Sequence, residues 1–63
     1  MKLSLRAARV DANLTQEDMA KALNIHVQTY RKLEERPDTA TIEQAKIISE
    51  RVGRSYNEIF FVS

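Results

Sequence analysis

QEDMAKALNIHVQTYRKLEE, residues 16–35, decides how this chain folds. In its first half Met19, Ala20 and Leu23 recur at helical spacing, and in its second Val27, Tyr30 and Leu33 stand at i, i+3 and i+6. Between the two runs, Asn24 and Ile25 leave room only for a sharp reversal. Two short helices that cross steeply need a small residue where they touch, and Ala20 suits that place. A turn this tight calls for one residue at positive φ. Glycine fits best there, and Asn24 is the next most tolerant choice.

The flanking sequence continues in the same style. Ser4 is placed to cap a first helix reaching about Ala12, with Leu5, Ala8 and Ala12 as a narrow apolar stripe and Arg9 beside them. Asn13 then offers a second residue tolerant of the left-handed conformation. Thr15-Gln16-Glu17-Asp18 reads as a capping box with Asp in place of Glu, opening a second helix that runs to about Leu23. His26 stands at the start of the third helix, where Ser or Thr would be expected, and that helix ends near Glu35. Arg36-Pro37-Asp38 is read as a loop, because Pro37 disfavours helix at Arg36. Thr41-Ile42-Glu43-Gln44 is a second box, opening a fourth helix with Ile42, Ala45, Ile47, Ile48 and Val52 on its apolar side and Gly53 as its stop. Ser55-Tyr56-Asn57-Glu58 is a third, followed by Ile59 and Phe60. The expectation is an all-α chain of five helices in one domain spanning residues 1–63.

Composition narrows the function. Sixty-three residues allow one small domain, and 43% hydrophobic content supports a real core rather than disorder. The absence of Cys removes disulfides and thiolate metal sites, and a single His makes a structural metal improbable. No metal or other cofactor is expected, and no small-molecule ligand is evident. No apolar run approaches the roughly 20 residues of a membrane span. Lys2 is followed by polar Ser4 and Arg6 rather than a signal-peptide core, so the expected location is the cytoplasm. With no Cys, one His and no clustered carboxylates, nothing is available to build a catalytic centre. Net charge is only +1, which permits nucleic-acid binding without announcing it.

Gln16, Ala20, Asn24, Ile25, Tyr30 and Leu33 fall where the helix-turn-helix of lambdoid phage repressors and Cro proteins carries Gln, Ala, Gly and three apolar core residues. Together with L-T-Q-E-x-x-A near the start and S-x-x-E-I-F near the end, the chain resembles the whole five-helix repressor-type DNA-binding domain (XRE family) from about Ser4 to Phe60. The resemblance departs from the family at Asn13 and Asn24, where Gly is usual, and at His26.

What the resemblance implies is a third helix that enters the DNA major groove. Val27, Gln28, Thr29 and Lys32 occupy the positions that reach base edges in the similar repressors, with Arg31 alongside. Their chemistry fits base readout. Gln can pair with adenine N6 and N7, Lys can donate to guanine, and the methyls of Val27 and Thr29 can meet a thymine methyl. The plain alternative is a solvated helix face. Gln16, in the family, binds a backbone phosphate and can buttress the recognition helix; a purely local helix-start role competes. Arg9 and Glu34 fall where some phage repressors hold a partly buried ion pair between the first and third helices, against the alternative of a free surface Arg9. Family phosphate contacts also fall on Arg36, Thr39 and Thr41. Tyr30 can bury its ring in the core and leave its hydroxyl near the edge, within reach of phosphate, with core packing as its leading role and phosphate contact as the secondary one. His26 could touch phosphate too, although an exposed helix-start substitute is the simpler reading.

Ile59-Phe60-Phe61-Val62 is unusually apolar for a chain end. One ring closes a small core, and the other suggests a dimer contact through Phe60 and Phe61; the competing views are that both rings fold back on the domain or that the natural protein is longer. Double-stranded DNA with a pseudo-palindromic operator is therefore the expected partner, bound by a homodimer at least on DNA. The expected activity is transcriptional regulation of phage or mobile-element type, most naturally repression. The reading from another class is a helix-turn-helix adaptor or antitoxin-like protein-interaction module. An adaptor face should expose apolar surface, whereas Gln28, Thr29, Arg31 and Lys32 are hydrogen-bonding groups.

Overall fold

A computed structural model describes residues 4–55, 57 and 59. Among these residues the chain forms four α-helices and no strand: α1 (Leu5–Asp11), α2 (Gln16–Leu23), α3 (Val27–Glu35) and α4 (Ile42–Val52), with a short 3-10 turn at Pro37–Thr39. The expected count of five helices is thus not supported. The fifth falls on residues 56–60, of which only Asn57 and Ile59 are described.

Local chemistry sets the helix ends. Ser4 Oγ accepts from the Ala7 N–H at the start of α1. Thr15 and Asp18 form a complete capping box, the Thr15 hydroxyl accepting from the Asp18 N–H at 3.0 Å while the Thr15 N–H donates to the Asp18 carboxylate at 2.9 Å. Thr41 and Gln44 repeat the arrangement at α4. At the third expected box, Ser55 Oγ accepts from the Asn57 N–H, and Glu58 lies outside the described residues. Three helices run out through a left-handed residue: Asn13 (φ 60°), Asn24 (φ 57°) and Gly53 (φ 69°). At each, the following N–H turns back to a carbonyl in the last turn of the helix: Leu14 to Arg9, Ile25 to Ala20 and Arg54 to Ser49. The α2–α3 turn is therefore satisfied by its own backbone, and Asn24 supplies the conformation that glycine would otherwise provide.

Packing follows from the apolar faces. α2 lies against α3 and α4, and α1 against α4. Leu5, Ala8, Met19, Ala20, Leu23, Tyr30, Leu33, Ile48, Val52 and Ile59 form the buried core. Ala20, almost completely buried, lets the two helices of the motif approach closely.

The first helix runs to Asp11 with Ala12 as its C-cap, as expected. Two expectations need correcting. The loop after α3 is not irregular: Pro37 starts the 3-10 turn, since its fixed φ suits a helical first position. Ile42, expected on the apolar side of α4, is 71% exposed. Helical side chains lean toward the N-terminus, so a first-position residue projects beyond the part of the helix that has a neighbour.

Candidate nucleic-acid interface

α3 carries two faces with opposite duties. Tyr30 and Leu33 are buried, and Val27 is half-buried against the core, so one side of the helix is anchored. Gln28, Thr29, Arg31 and Lys32 are all exposed on the remaining surface. Of these, Gln28, Thr29 and Lys32 make no side-chain hydrogen bond or ion pair among the described residues, whereas Arg31 is held. Val27, which resemblance puts among the base-reading positions, offers only part of its side chain to solvent.

Behind the helix lies a connected polar cluster. Arg9 Nε pairs with Glu34 Oε2, and both side chains are nine-tenths buried or close to it. Arg9 Nη1 also donates to the Leu14 carbonyl at 2.7 Å, while the Leu14 N–H donates to the Arg9 carbonyl at 3.1 Å. The other Glu34 oxygen accepts from Gln16 Nε2 at 3.2 Å, and Gln16 Oε1 accepts from Arg31 Nε at 3.1 Å. The series Leu14, Arg9, Glu34, Gln16, Arg31 thus links α1, the start of α2 and the exposed side of α3. An open groove around it is also lined by Arg6, Glu17 and Glu35.

Tyr30 sits beneath this cluster, and here the structure corrects the sequence reading. The residue is completely buried and its hydroxyl meets no hydrogen-bond partner, so the oxygen expected near the edge is not open to phosphate. Burial, followed by the negative charge of Glu34 nearby, pushes the phenol above its ordinary pKa. The Asp18 carboxylate is displaced the other way: hydrogen bonds from the Thr15 backbone and then its hydroxyl stabilise the charged form.

The remaining candidates are peripheral. His26 precedes α3, is exposed, and makes no capping hydrogen bond. Arg36 reaches Asp38 at 3.4 Å across the 3-10 turn, with both side chains largely in water. Thr39 donates its hydroxyl to the Arg36 carbonyl at 2.7 Å, and the Thr41 hydroxyl oxygen is occupied in capping α4. Phe60 and Phe61, named as dimer contacts, lie outside the described residues. Among the described residues no group of three His, Asp or Glu side chains could hold a metal ion, and no helix is long and apolar enough to cross a membrane.

Sequence reading missed two connections. The Gln16–Arg31 bond spans 15 positions and depends on how α2 meets α3, for which spacing carries no signal. The second is an ion pair at 2.8 Å between Arg54, just after α4, and Asp11 at the end of α1.

Neither a curated protein nor a solved structure gives a match to the chain. A family model described as helix-turn-helix matches residues 5–59, from the first residue of α1 to the buried Ile59. Four helices joined as described, with the α2–Asn24–α3 turn at their centre, agree with that match. The chain therefore belongs to the Cro-type helix-turn-helix (XRE) family, a family of DNA-binding, generally non-enzymatic transcription regulators.

Proposed function

We propose that the protein binds double-stranded DNA sequence-specifically, with α3 in the major groove, and represses transcription as a dimer on a pseudo-palindromic operator, in the manner of phage and mobile-element regulators. One observation carries this reading. Gln28, Thr29, Arg31 and Lys32 stand exposed together on a helix whose opposite face is locked by Tyr30 and Leu33. A rigid helix presenting donors and acceptors is what base-edge readout requires. Gln28 is assigned to an adenine, Lys32 to a guanine, and the methyls of Thr29 and Val27 to a thymine methyl. His26, Arg36, Thr39 and Thr41 supply backbone contacts along the flanks, which fix register without reading sequence. The Arg9–Glu34 pair holds α3 at the angle the groove demands.

Repression here is steric: a dimer covering two half-sites about 34–36 Å apart excludes polymerase. The adaptor reading finds less support, because among the described residues the exposed large hydrophobics are Val10 on α1 and Ile42 on α4, and neither lies on α3.

In vitro selection on random duplexes tests the proposal. Enrichment of two half-sites about 10 bp apart is expected. Gln28→Ala should then relax preference at one position in each half-site, at roughly 1–3 kcal/mol of discrimination. Selection that returns no motif, with only weak binding that vanishes at moderate salt, would refute sequence-specific regulation and leave charge attraction alone.

A further inference from the structure

Arg31 differs from its exposed neighbours on α3 because the protein already holds one edge of its guanidinium. Gln16 Oε1 accepts from Arg31 Nε at 3.1 Å, and Gln16 is itself fixed by donating to Glu34 at 3.2 Å. Glu34 cannot drift, since its side chain is 7% exposed and paired with Arg9. With Nε occupied, Arg31 keeps its two Nη groups for an outside acceptor, in a fork that fits a phosphate. Gln16 keeps one amide N–H, and it carries no charge. Both side chains line the groove between α1, the start of α2 and the length of α3, together with Arg6. Glu17 and Glu35 line it as well, so attraction at this place rests on an aimed guanidinium rather than on an excess of positive charge.

Resting on the DNA-binding reading above, we propose that Arg31 is a backbone-phosphate anchor rather than a base reader, and that Gln16 is the positioning residue that aims it through the Arg9–Glu34 pair. This departs from the role that resemblance gives to each. Gln16 spends its carbonyl and one N–H inside the protein, and Arg31 takes over the phosphate.

The test uses the selected operator duplex, a set of operators each carrying one substituted base pair, and a scrambled duplex of equal length. Arg31→Ala should weaken binding to selected and scrambled duplexes alike, on the order of tenfold. It should also lower the slope of log K against log salt by about 1.8 for the bound dimer, about 0.9 from each protomer's lost phosphate contact, and leave the order of preference among substituted operators unchanged. Gln16→Ala should bring a smaller loss of the same kind, and the Gln16→Ala/Arg31→Ala double variant should bind no worse than Arg31→Ala alone. In an Arg31→Lys background, which keeps the charge but lacks Nε, Gln16→Ala should have little further effect. Melting curves of each variant separate these losses from unfolding. If Arg31→Ala erases preference at one base pair and spares the scrambled duplex, Arg31 reads a base and the proposal fails. If the two losses multiply, Gln16 acts on its own and the positioning role fails. Wild-type protein that binds neither duplex would overturn the DNA-binding reading itself, a result distinct from either.

Discussion

Among the described residues, two ion pairs tie α1 to the rest of the molecule, formed by the same functional groups in different surroundings. Arg9 meets Glu34 of α3 with the two side chains only 10% and 7% exposed, whereas Arg54 meets Asp11 with 40% and 66% exposed. The inner pair has further partners in the Leu14 carbonyl and the Gln16 amide. The outer one is open to water. What separates them is the fate of the partner left behind. A charge stranded in the interior has no solvent to turn to, and a charge stranded at the surface simply rehydrates.

The sharpest way to break this comparison is to remove one partner at a time. Arg9→Ala should cost about 3 kcal/mol in urea unfolding, because Glu34 is left nearly buried and unpaired. Replacing both partners with apolar residues (Arg9→Met with Glu34→Leu) should recover most of that loss, since the penalty lies in the orphaned charge rather than in the missing bond. An Arg9→Ala protein as stable as wild type would show that the inner pair is no different from the outer one.

Tyr30 sharpens the inner side of the comparison. Its buried hydroxyl lacks a partner, so Tyr30→Phe should raise stability by about 1 kcal/mol or leave it unchanged. The same variant has a signature in pH. The folded phenol holds its proton more tightly than the unfolded one, whose value is 10.0. Stability is therefore insensitive to this group below that pH and falls as pH rises past it toward the higher folded value. Stability of the wild type should decline above pH 10 more steeply than that of Tyr30→Phe, as followed by circular dichroism. Equal declines would mean that the hydroxyl is solvated after all.

The smallest effect belongs to the outer pair. Arg54→Ala should change stability by no more than about 0.5 kcal/mol, and the difference should fade in high salt. A thermal melt at two ionic strengths reads both.

Most of the architecture was legible because it depends on neighbours in the chain. Thr15 with Asp18, and Thr41 with Gln44, announce helix starts by a three-residue spacing that the backbone itself imposes. Asn13 and Asn24 mark turns for an equally local reason, since few residues tolerate positive φ. Where local logic ended, the readings slipped. Ile42 belongs to the apolar row of α4 by spacing, but spacing does not say where the opposing helix stops. The depth of the Tyr30 hydroxyl depends on how far the cluster from α1 and α2 closes over it. Gln16 was rightly placed at the start of α2, while its orientation toward Arg31 and Glu34 arises only after three elements have met. Resemblance could name Arg9 and Glu34 as a pair. Only the packed molecule gives that pair its companions.

The unengaged outer row of α3 has a consequence for how such a regulator can change over evolutionary time. Gln28, Thr29 and Lys32 are exposed and hold no side-chain bond among the described residues, while the anchoring of the helix is delegated to Tyr30, Leu33 and Glu34. Under the proposed base-reading role of these three residues, stability and target choice are stored in different residues of one nine-residue helix. On that proposal a lineage can replace the outward three and drift to a new target without crossing a poorly folded intermediate, and a laboratory library confined to those positions should yield mostly folded proteins with different preferences.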